Sequence, residues 1–141
     1  GRAIVGPNAI ALYRVGASKD IPGIRKYVSV DGGMGDNIRP PLYEAKYEAL
    51  VVKKASEPAT EKITLCGKYC ESGDILIKDI NLPALSPGDL IAMPSMGAYS
   101  IPMASNYNAS LKPAIVMVEN GKAALMRRRE TYQDLIDKDC F

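Results

Sequence analysis

Residues 70–74 read Cys-Glu-Ser-Gly-Asp and place a thiol, two carboxylates and a hydroxyl within five positions. Apolar runs flank this segment, from Ile63 to Gly67 before it and from Ile75 to Ile77 after it. Burying such polar groups without partners is costly. The pattern therefore predicts a polar loop between two strands, at a strand end that faces a cleft.

Cys70 is the candidate reactive group of this loop. A free cysteine packs by default as a small buried apolar residue, which is the structural alternative. The carboxylates of Glu71 and Asp74 favour instead a polar, partly wet setting, and like charge disfavours the thiolate. A thiol that stays protonated suits a proton donor better than a nucleophile. Both interpretations stay open on the residues alone.

Composition excludes several classes of protein. The chain has 141 residues and no histidine, so Ser-His-Asp and Cys-His catalysis within it are excluded, and no metal site is predicted. Three cysteines without a spaced framework, and no signal-peptide layout, predict a reducing, cytoplasmic location. A net charge of +2 argues against nucleic acid or a membrane surface as partner.

The alternation and turn signals predict one mainly β domain over residues 1–141, a Greek-key-like barrel or sandwich of about seven or more strands. A short C-terminal helix from Tyr132 to about Lys138 should follow a capping box that begins at Thr131. Asn120-Gly121 predicts a type I′ hairpin turn. The other predicted strands are Lys26–Val30, Tyr47–Lys54, Glu61–Cys66, Asp74–Ile80 and Leu90–Met93, with a turn at Ser18–Gly23 and an extended segment at Arg39–Tyr43.

Each of three further segments has a functional interpretation and a purely structural one. The glycine-rich residues 31–35 follow a strand and could bind an anion, but a β-turn is favoured. Arg39 directly precedes the stiff segment Pro40-Pro41, and a guanidinium held in this way suits carboxylate binding, although an exposed arginine is the commoner case. The run 127–129 of three arginines falls in a strand, where neighbours point to opposite faces, so a solvated edge is favoured over a nucleic-acid patch.

Several motifs together resemble a known family. They are Val30-Asp31-Gly32-Gly33-Met34, Arg39-Pro40-Pro41-Leu42-Tyr43, Cys70-Glu71-Ser72-Gly73-Asp74, Gly97-Ala98-Tyr99, Met103-Ala104-Ser105-Asn106-Tyr107-Asn108 and Arg128-Arg129-Glu130-Thr131. In order and spacing they resemble the C-terminal half of the diaminopimelate decarboxylases, pyridoxal-phosphate enzymes of the alanine racemase-like fold. Gly1-Arg2 resembles the end of that family's Glu-Pro-Gly-Arg motif.

The resemblance implies a two-domain enzyme that converts meso-2,6-diaminopimelate to L-lysine and CO₂ and works as a homodimer. Its cofactor-binding N-terminal (β/α)₈ barrel, with the Schiff-base lysine, is absent from this chain. We therefore expect the chain alone not to decarboxylate. In the family the β domain also takes a strand from the chain's N-terminus, so part of the β-barrel should be missing here.

The resemblance also implies roles for individual residues. Cys70 would donate a proton to the carbon that has lost CO₂, and Glu71 would meet the distal ammonium group of the substrate. The loop that carries them would serve the neighbouring subunit. The implied substrate-binding residues are Arg2, Arg39, Tyr43, Glu71 and Tyr107, and the implied cofactor-binding residues are Gly1, Arg2 and Tyr107.

Two alternatives remain beside this interpretation. One is a decarboxylase of another basic amino acid, of the ornithine or arginine type, although ornithine decarboxylases carry a Cys-Asp pair where this chain has Cys70-Glu71. The other is a non-catalytic β-barrel binding module. Such a module for single-stranded nucleic acid needs aromatic stacking surfaces, and the chain has one Phe and no Trp.

Overall fold

A computed structural model describes residues 1–140, which form eight strands and four short α-helices. The strands are β1 (Ala11–Ile21), β2 (Arg25–Val30), β3 (Leu50–Val51), β4 (Glu61–Cys66), β5 (Ile75–Leu82), β6 (Leu90–Met93), β7 (Ile115–Glu119) and β8 (Lys122–Arg127). The helices are α1 (Arg2–Val5), α2 (Arg39–Tyr43), α3 (Ser100–Met103) and α4 (Tyr132–Ile136). Single 3₁₀ turns lie at Gly6–Asn8, Val52–Lys54 and Tyr107–Ala109.

Six strands form one curled sheet, shaped as a half-barrel, in the order β3-β6-β1-β2-β4-β5. All neighbours in this sheet are antiparallel except β2 and β4, which run parallel. The long crossover between β2 and β4 holds the glycine-rich turn, α2 and β3. The predicted mainly β fold with a C-terminal helix is confirmed, and β3 and β5 lie at the two edges of the sheet.

The core lies against one face of the sheet because buried apolar residues alternate with exposed residues along its strands. In β1, Tyr13 and Val15 are buried while Leu12 and Arg14 are exposed. Strands β2, β4, β5 and β6 supply the residues most completely excluded from water, which include Val28, Ile63, Leu65, Leu76, Ile91 and Met93. This core fixes the ends of β2 and β4, and the segments that follow those ends carry the candidate site.

Strands β7 and β8 form a separate two-stranded hairpin. Its turn residues, Asn120 and Gly121, have φ values of 49° and 73°, as a type I′ turn requires. The helix α4 then begins with the predicted capping box between Thr131 and Asp134. It ends at Ile136, two residues before the predicted end.

Three sequence predictions were wrong. Residues 39–43 form the helix α2 and not an extended segment, because prolines are tolerated in the first helical turn, where no N–H partner is needed. The strand predicted at Tyr47–Lys54 is reduced to Leu50–Val51, which is as far as its pairing with β6 extends. The turn predicted at Ser18–Gly23 starts later, because β1 stays paired with β2 as far as Ile21.

Candidate active site

Asp74 anchors the loop that the Cys-Glu-Ser-Gly-Asp motif forms between β4 and β5. Its side chain was expected in a partly wet setting, yet the residue is only 3% exposed. Its Oδ1 accepts the N–H of Met34 at 2.7 Å and its Oδ2 accepts the N–H of Tyr69 at 2.8 Å. Burial raises the pKa of Asp74, and these two N–H donors oppose that shift. Two donors from separate segments thus offset the cost of burying the carboxylate.

The glycine-rich turn after β2 is shaped to receive this carboxylate. A Cβ on Gly33 would lie 2.5 Å from Oδ1 of Asp74, and a Cβ on Gly67 would overlap the same carboxylate. The N–H of Gly33 donates to Asp36 at 3.1 Å, so the turn's N–H groups already bind the chain's own carboxylates. This arrangement agrees with the favoured interpretation of residues 31–35 as a turn.

Tyr13, Asp36 and Tyr69 surround this anchor. The Tyr13 ring packs where a Cβ on Gly32 would stand, and its hydroxyl is buried without a partner. Burial is the main cause that raises the pKa values of Tyr13, Asp36 and Tyr69 above their usual range, and the nearby carboxylates add to the shift of both tyrosines. The cluster therefore favours neutral hydroxyls beside the Asp74 anchor.

Cys70 and Glu71 lie at the exposed tip of the loop. The carboxylate of Glu71 is close to Ser72 and Gly73, with its Oε1 3.3 Å from the Ser72 hydroxyl. A Cβ on Gly73 would lie 3.8 Å from Pro41, so the loop packs against α2. The thiol and the carboxylate are accordingly presented to the outside of this chain, from a loop whose base is fixed.

A second group of candidate residues lies on the other side of α2. Arg2, Arg39, Tyr43, Tyr99 and Met103 line a pocket of about 380 Å³, which we call the arginine groove. It shares Arg2 and Arg39 with a wider cleft of about 580 Å³ that extends along residues 45–48 and 94–98. The structure thus brings together three predicted substrate-binding residues, Arg2, Arg39 and Tyr43.

Local contacts position Arg39 and the backbone segments around the groove. The N–H of Gly97 donates to the carbonyl of Gly6 at 3.0 Å, which ties the segment before Tyr99 to the end of α1. The guanidinium of Arg39 lies 5.2 Å from the Tyr99 ring centroid and 6.0 Å from that of Tyr43. Cation–π contact with both rings orients its plane.

The charge of the groove is not neutralised by the residues that the structure describes. Within residues 1–140 no carboxylate forms an ion pair with Arg2 or Arg39. The Nε of Arg39 is buried and has no hydrogen-bond partner there. A buried guanidinium N–H without a partner is costly unless a ligand accepts from it. The groove is therefore suited to an anion, with a phosphate or carboxylate as the best geometric match.

Of two tyrosines in the family motifs, Tyr99 lies at the arginine groove and Tyr107 lies outside its lining. Tyr107 was assigned to substrate and cofactor, but its ring packs 5.9 Å from that of Tyr69, and it is absent from the residues that line the arginine groove. Tyr99 belongs to the motif Gly97-Ala98-Tyr99, for which no individual residue role was predicted, and it lines the groove. Its φ of 64° is unusual for a tyrosine and marks a constrained position, a feature that sequence alone does not show.

The chain, a half-barrel sheet with an anion-binding groove and an exposed Cys-Glu loop, matches the C-terminal sheet domain of the pyridoxal-dependent decarboxylases. The family described as "Pyridoxal-dependent decarboxylase, C-terminal sheet domain" matches residues 7–97, and the chain belongs to it. No helix among residues 1–140 is long and apolar enough to cross a membrane.

The curated relatives are more specific. The chain is 52% identical to the diaminopimelate decarboxylase of Bacillus subtilis over 139 residues, which are 99% of this chain and 32% of that protein. It is 49% identical to the diaminopimelate decarboxylase of Synechocystis over 141 residues, 100% of this chain and 30% of that protein. The chain thus spans about a third of the length of these relatives.

The solved structures agree. The diaminopimelate decarboxylase of M. jannaschii in complex with L-lysine superposes with a TM-score of 0.91 at 36% identity. The match covers 100% of this chain and 32% of that one. The expected family resemblance is confirmed over the whole chain.

Proposed function

We propose that this chain is the C-terminal sheet domain of a diaminopimelate decarboxylase, which converts meso-2,6-diaminopimelate to L-lysine and CO₂. The observation that carries the proposal is the presence, on one domain, of an anion-binding arginine groove and an exposed Cys70-Glu71 pair. A substrate that has a charged amino-acid end and a separate reacting end requires both of these groups of side chains. The diaminopimelate decarboxylase relatives support the choice of substrate.

The arginine groove would bind anionic groups. Arg39, oriented by two aromatic rings, offers a planar pair of N–H donors to a carboxylate. Tyr43 would add a hydroxyl at the same pocket. A site that pairs with a charged head group rejects analogues that lack it, because its own buried donor would remain unpaired.

Glu71 and Cys70 would act at the other parts of the substrate. The exposed carboxylate of Glu71 would pair with the distal ammonium group, which fixes the substrate by charge. The thiol of Cys70 would donate its proton to the carbon that has lost CO₂, and the thiolate would then regain a proton from water. A positioned proton donor of this kind contributes about 10²- to 10⁴-fold to the rate.

The residues also fit pyridoxal phosphate, since the groove offers two guanidiniums and an unpartnered buried N–H to an anionic group. Gly1 and Arg2 would border the phosphate, and Tyr107 was assigned to the cofactor from its motif. The position of Tyr99 in the groove makes Tyr99 a further candidate for that contact. When bound, the cofactor would take up the electron pair of the broken C–C bond.

A complete site would need two further parts. The Cys70-Glu71 pair and the arginine groove are separate groups in this chain, since neither Cys70 nor Glu71 lines the groove. We propose that the enzyme is a homodimer in which the loop of one subunit serves the groove of the other. A cofactor-binding (β/α)₈ barrel in the remaining two-thirds of the protein would supply the Schiff-base lysine. A cytoplasmic location fits the small-molecule substrate and the three free cysteines.

The direct test measures CO₂ release by the full-length enzyme with meso-diaminopimelate, ornithine, arginine and lysine as substrates. We expect turnover of meso-diaminopimelate and at least 100-fold lower kcat/KM for the others. Preference for ornithine or arginine would favour the alternative decarboxylase. No turnover of any of them, with nucleic-acid binding in a gel shift, would favour the binding module.

Variants of the full-length enzyme separate the two roles. Cys70→Ala should lower kcat by about 100-fold or more with little change in KM. Glu71→Asp shortens the side chain that should reach the ammonium, so it should mainly raise KM. The 141-residue chain alone should release no CO₂ above background, even with added cofactor. Turnover by that chain would contradict the proposed need for a barrel.

A further inference from the structure

We propose that Asp74 is a positioning residue, which fixes the backbone around Cys70 and Glu71 and so sets where their side chains act. This inference rests on the proposed function, because the roles of Cys70 and Glu71 are assigned there. It concerns a residue that contacts neither the groove nor the outside. Asp74 is 3% exposed, and the two oxygens of its carboxylate accept from two different backbone N–H groups.

Asp74 holds the backbone of Tyr69 by a hydrogen bond. Tyr69 directly precedes Cys70, and its N–H donates to Oδ2 of Asp74 at 2.8 Å. The main chain of Asp74 adds two more constraints. Its N–H donates to the carbonyl of Glu71 at 3.1 Å, and its carbonyl accepts from Gly67 at 3.0 Å. The segment that carries Cys70 and Glu71 is therefore held at both of its ends by one residue.

The second contact ties this loop to a distant part of the chain. Oδ1 of Asp74 accepts the N–H of Met34 in the glycine-rich turn, 40 residues earlier. The N–H of Lys68 donates to the carbonyl of Gly32 at 3.0 Å, which gives the same two segments a second link. That turn directly follows β2, whose residues belong to the core. The position of the loop is therefore fixed relative to the sheet.

The surroundings leave room for this carboxylate alone. Gly33 and Gly67 flank it so closely that a Cβ at either position would contact its oxygens. Since both oxygens are engaged and the residue is buried, Asp74 cannot itself reach a substrate. Its effect on the reaction must pass through the two residues that it holds. A displacement of about 1 Å in a catalytic group can cost about 10²-fold in rate.

The experiment uses the full-length enzyme and a double-variant cycle of Asp74→Ala and Gly67→Ala. Asp74→Ala removes the anchor, and Gly67→Ala pushes against it. We expect each to lower kcat for meso-diaminopimelate by about 10- to 100-fold on folded, cofactor-loaded protein. In the double variant the absent carboxylate leaves space for the new methyl group, so kcat should be no lower than in Asp74→Ala alone. Asp79→Asn is the matched control on β5, since Asp79 makes a surface ion pair with Arg25; it should keep kcat within twofold.

Three outcomes decide the proposal. An Asp74→Ala enzyme that melts earlier but keeps its kcat would show a merely structural residue and overturn it. The proposal would also be overturned if the losses in kcat of Asp74→Ala and Gly67→Ala simply added in the double variant. The third measurement needs no turnover: amide exchange at Tyr69 and Met34 should accelerate at least tenfold in Asp74→Ala and stay unchanged in Asp79→Asn. If the wild-type enzyme released no CO₂, the proposed function would fail, and the exchange rates would still test the anchor.

Discussion

At the scale of single residues, Arg39 is the side chain whose surroundings indicate most directly what it binds. It stands on α2, lies against the rings of Tyr43 and Tyr99, and keeps a buried Nε without a partner within residues 1–140. An arginine that is oriented but not neutralised is prepared for a planar anion. A flexible ammonium group could supply the charge but not the plane.

Arg39→Lys in the full-length enzyme tests this difference. The lysine keeps the charge and loses both the bidentate fork and the stacking, so KM for meso-diaminopimelate should rise about tenfold or more. The matched control is Arg25→Lys, because Arg25 also lies over a tyrosine ring, 5.9 Å from the centroid of Tyr27, and is remote from the groove. Steady-state kinetics of both variants provide the measurement. An unchanged KM in Arg39→Lys would mean that charge alone suffices.

Residue chemistry could be predicted from sequence only where it is local. The loop between two strands and the exposed Cys70 and Glu71 follow from the polar motif between apolar runs. The burial of Asp74 could not be predicted, because one of its donors, Met34, lies 40 residues away. The pairing of Tyr99 with Arg39 could not be predicted either, because the segment before Tyr99 is tied to Gly6, about 90 residues earlier in the chain, by the N–H of Gly97.

At the scale of elements, α4 is held to the end of the β7–β8 hairpin by a single carboxylate. Asp134 accepts two hydrogen bonds from the Arg128 guanidinium, each at 2.6 Å, and two more from Thr131. The Arg128 guanidinium, followed by the donors of Thr131, holds the pKa of Asp134 well below its usual range. One arginine of the run 127–129 is therefore engaged within the domain.

The pH dependence of α4 follows from that direction. Because the pKa of Asp134 is lower in the folded state than in the unfolded one, its contribution is fully present above the usual value of 3.8 and declines as the pH falls below it. Asp134→Asn should lower amide-exchange protection in α4 about fivefold at pH 7. This gap to the wild type should narrow steadily below pH 3.8.

The control for this measurement is Asp139→Asn, an exposed carboxylate beyond the helix. It should leave protection in α4 unchanged at both pH values. If the difference in α4 protection between wild type and Asp134→Asn stayed constant as the pH fell below 3.8, Asp134 would stabilise α4 without its charge.

The pH dependence of Asp36 and Asp74 has the opposite sign. Their pKa values are raised mainly by burial, so their ionisation lowers the stability of the fold as the pH rises through the raised values.

Elements with their own local signals were predictable, and those defined by distant partners were not. The hairpin turn at Asn120-Gly121 and the capping box of α4 depend only on residues close together in the sequence, and both predictions are confirmed. The segment Tyr47–Lys54 has strand composition, but only Leu50 and Val51 find a partner strand. Local propensity gives way to available pairing in that case.

At the scale of the whole molecule, the sheet is a half-barrel with β3 and β5 at its edges. Its strand order could not be read from the sequence, since β6 lies between β1 and β3 and the pairing of β2 with β4 crosses a long connection.

The open architecture predicts that the isolated 141-residue chain associates. Apolar side chains project from the β7–β8 hairpin, with Val118 73%, Leu125 64% and Met126 66% exposed. A two-stranded hairpin has little stability without a packed face, and unpaired edges recruit further strands. Sedimentation of the isolated chain should show concentration-dependent oligomers, and thermal unfolding followed by circular dichroism should lack a single cooperative transition. Val118→Lys should reduce association, whereas Lys122→Ala in the same hairpin should not. A monodisperse, cooperatively melting monomer would show that residues 1–141 suffice for a closed fold.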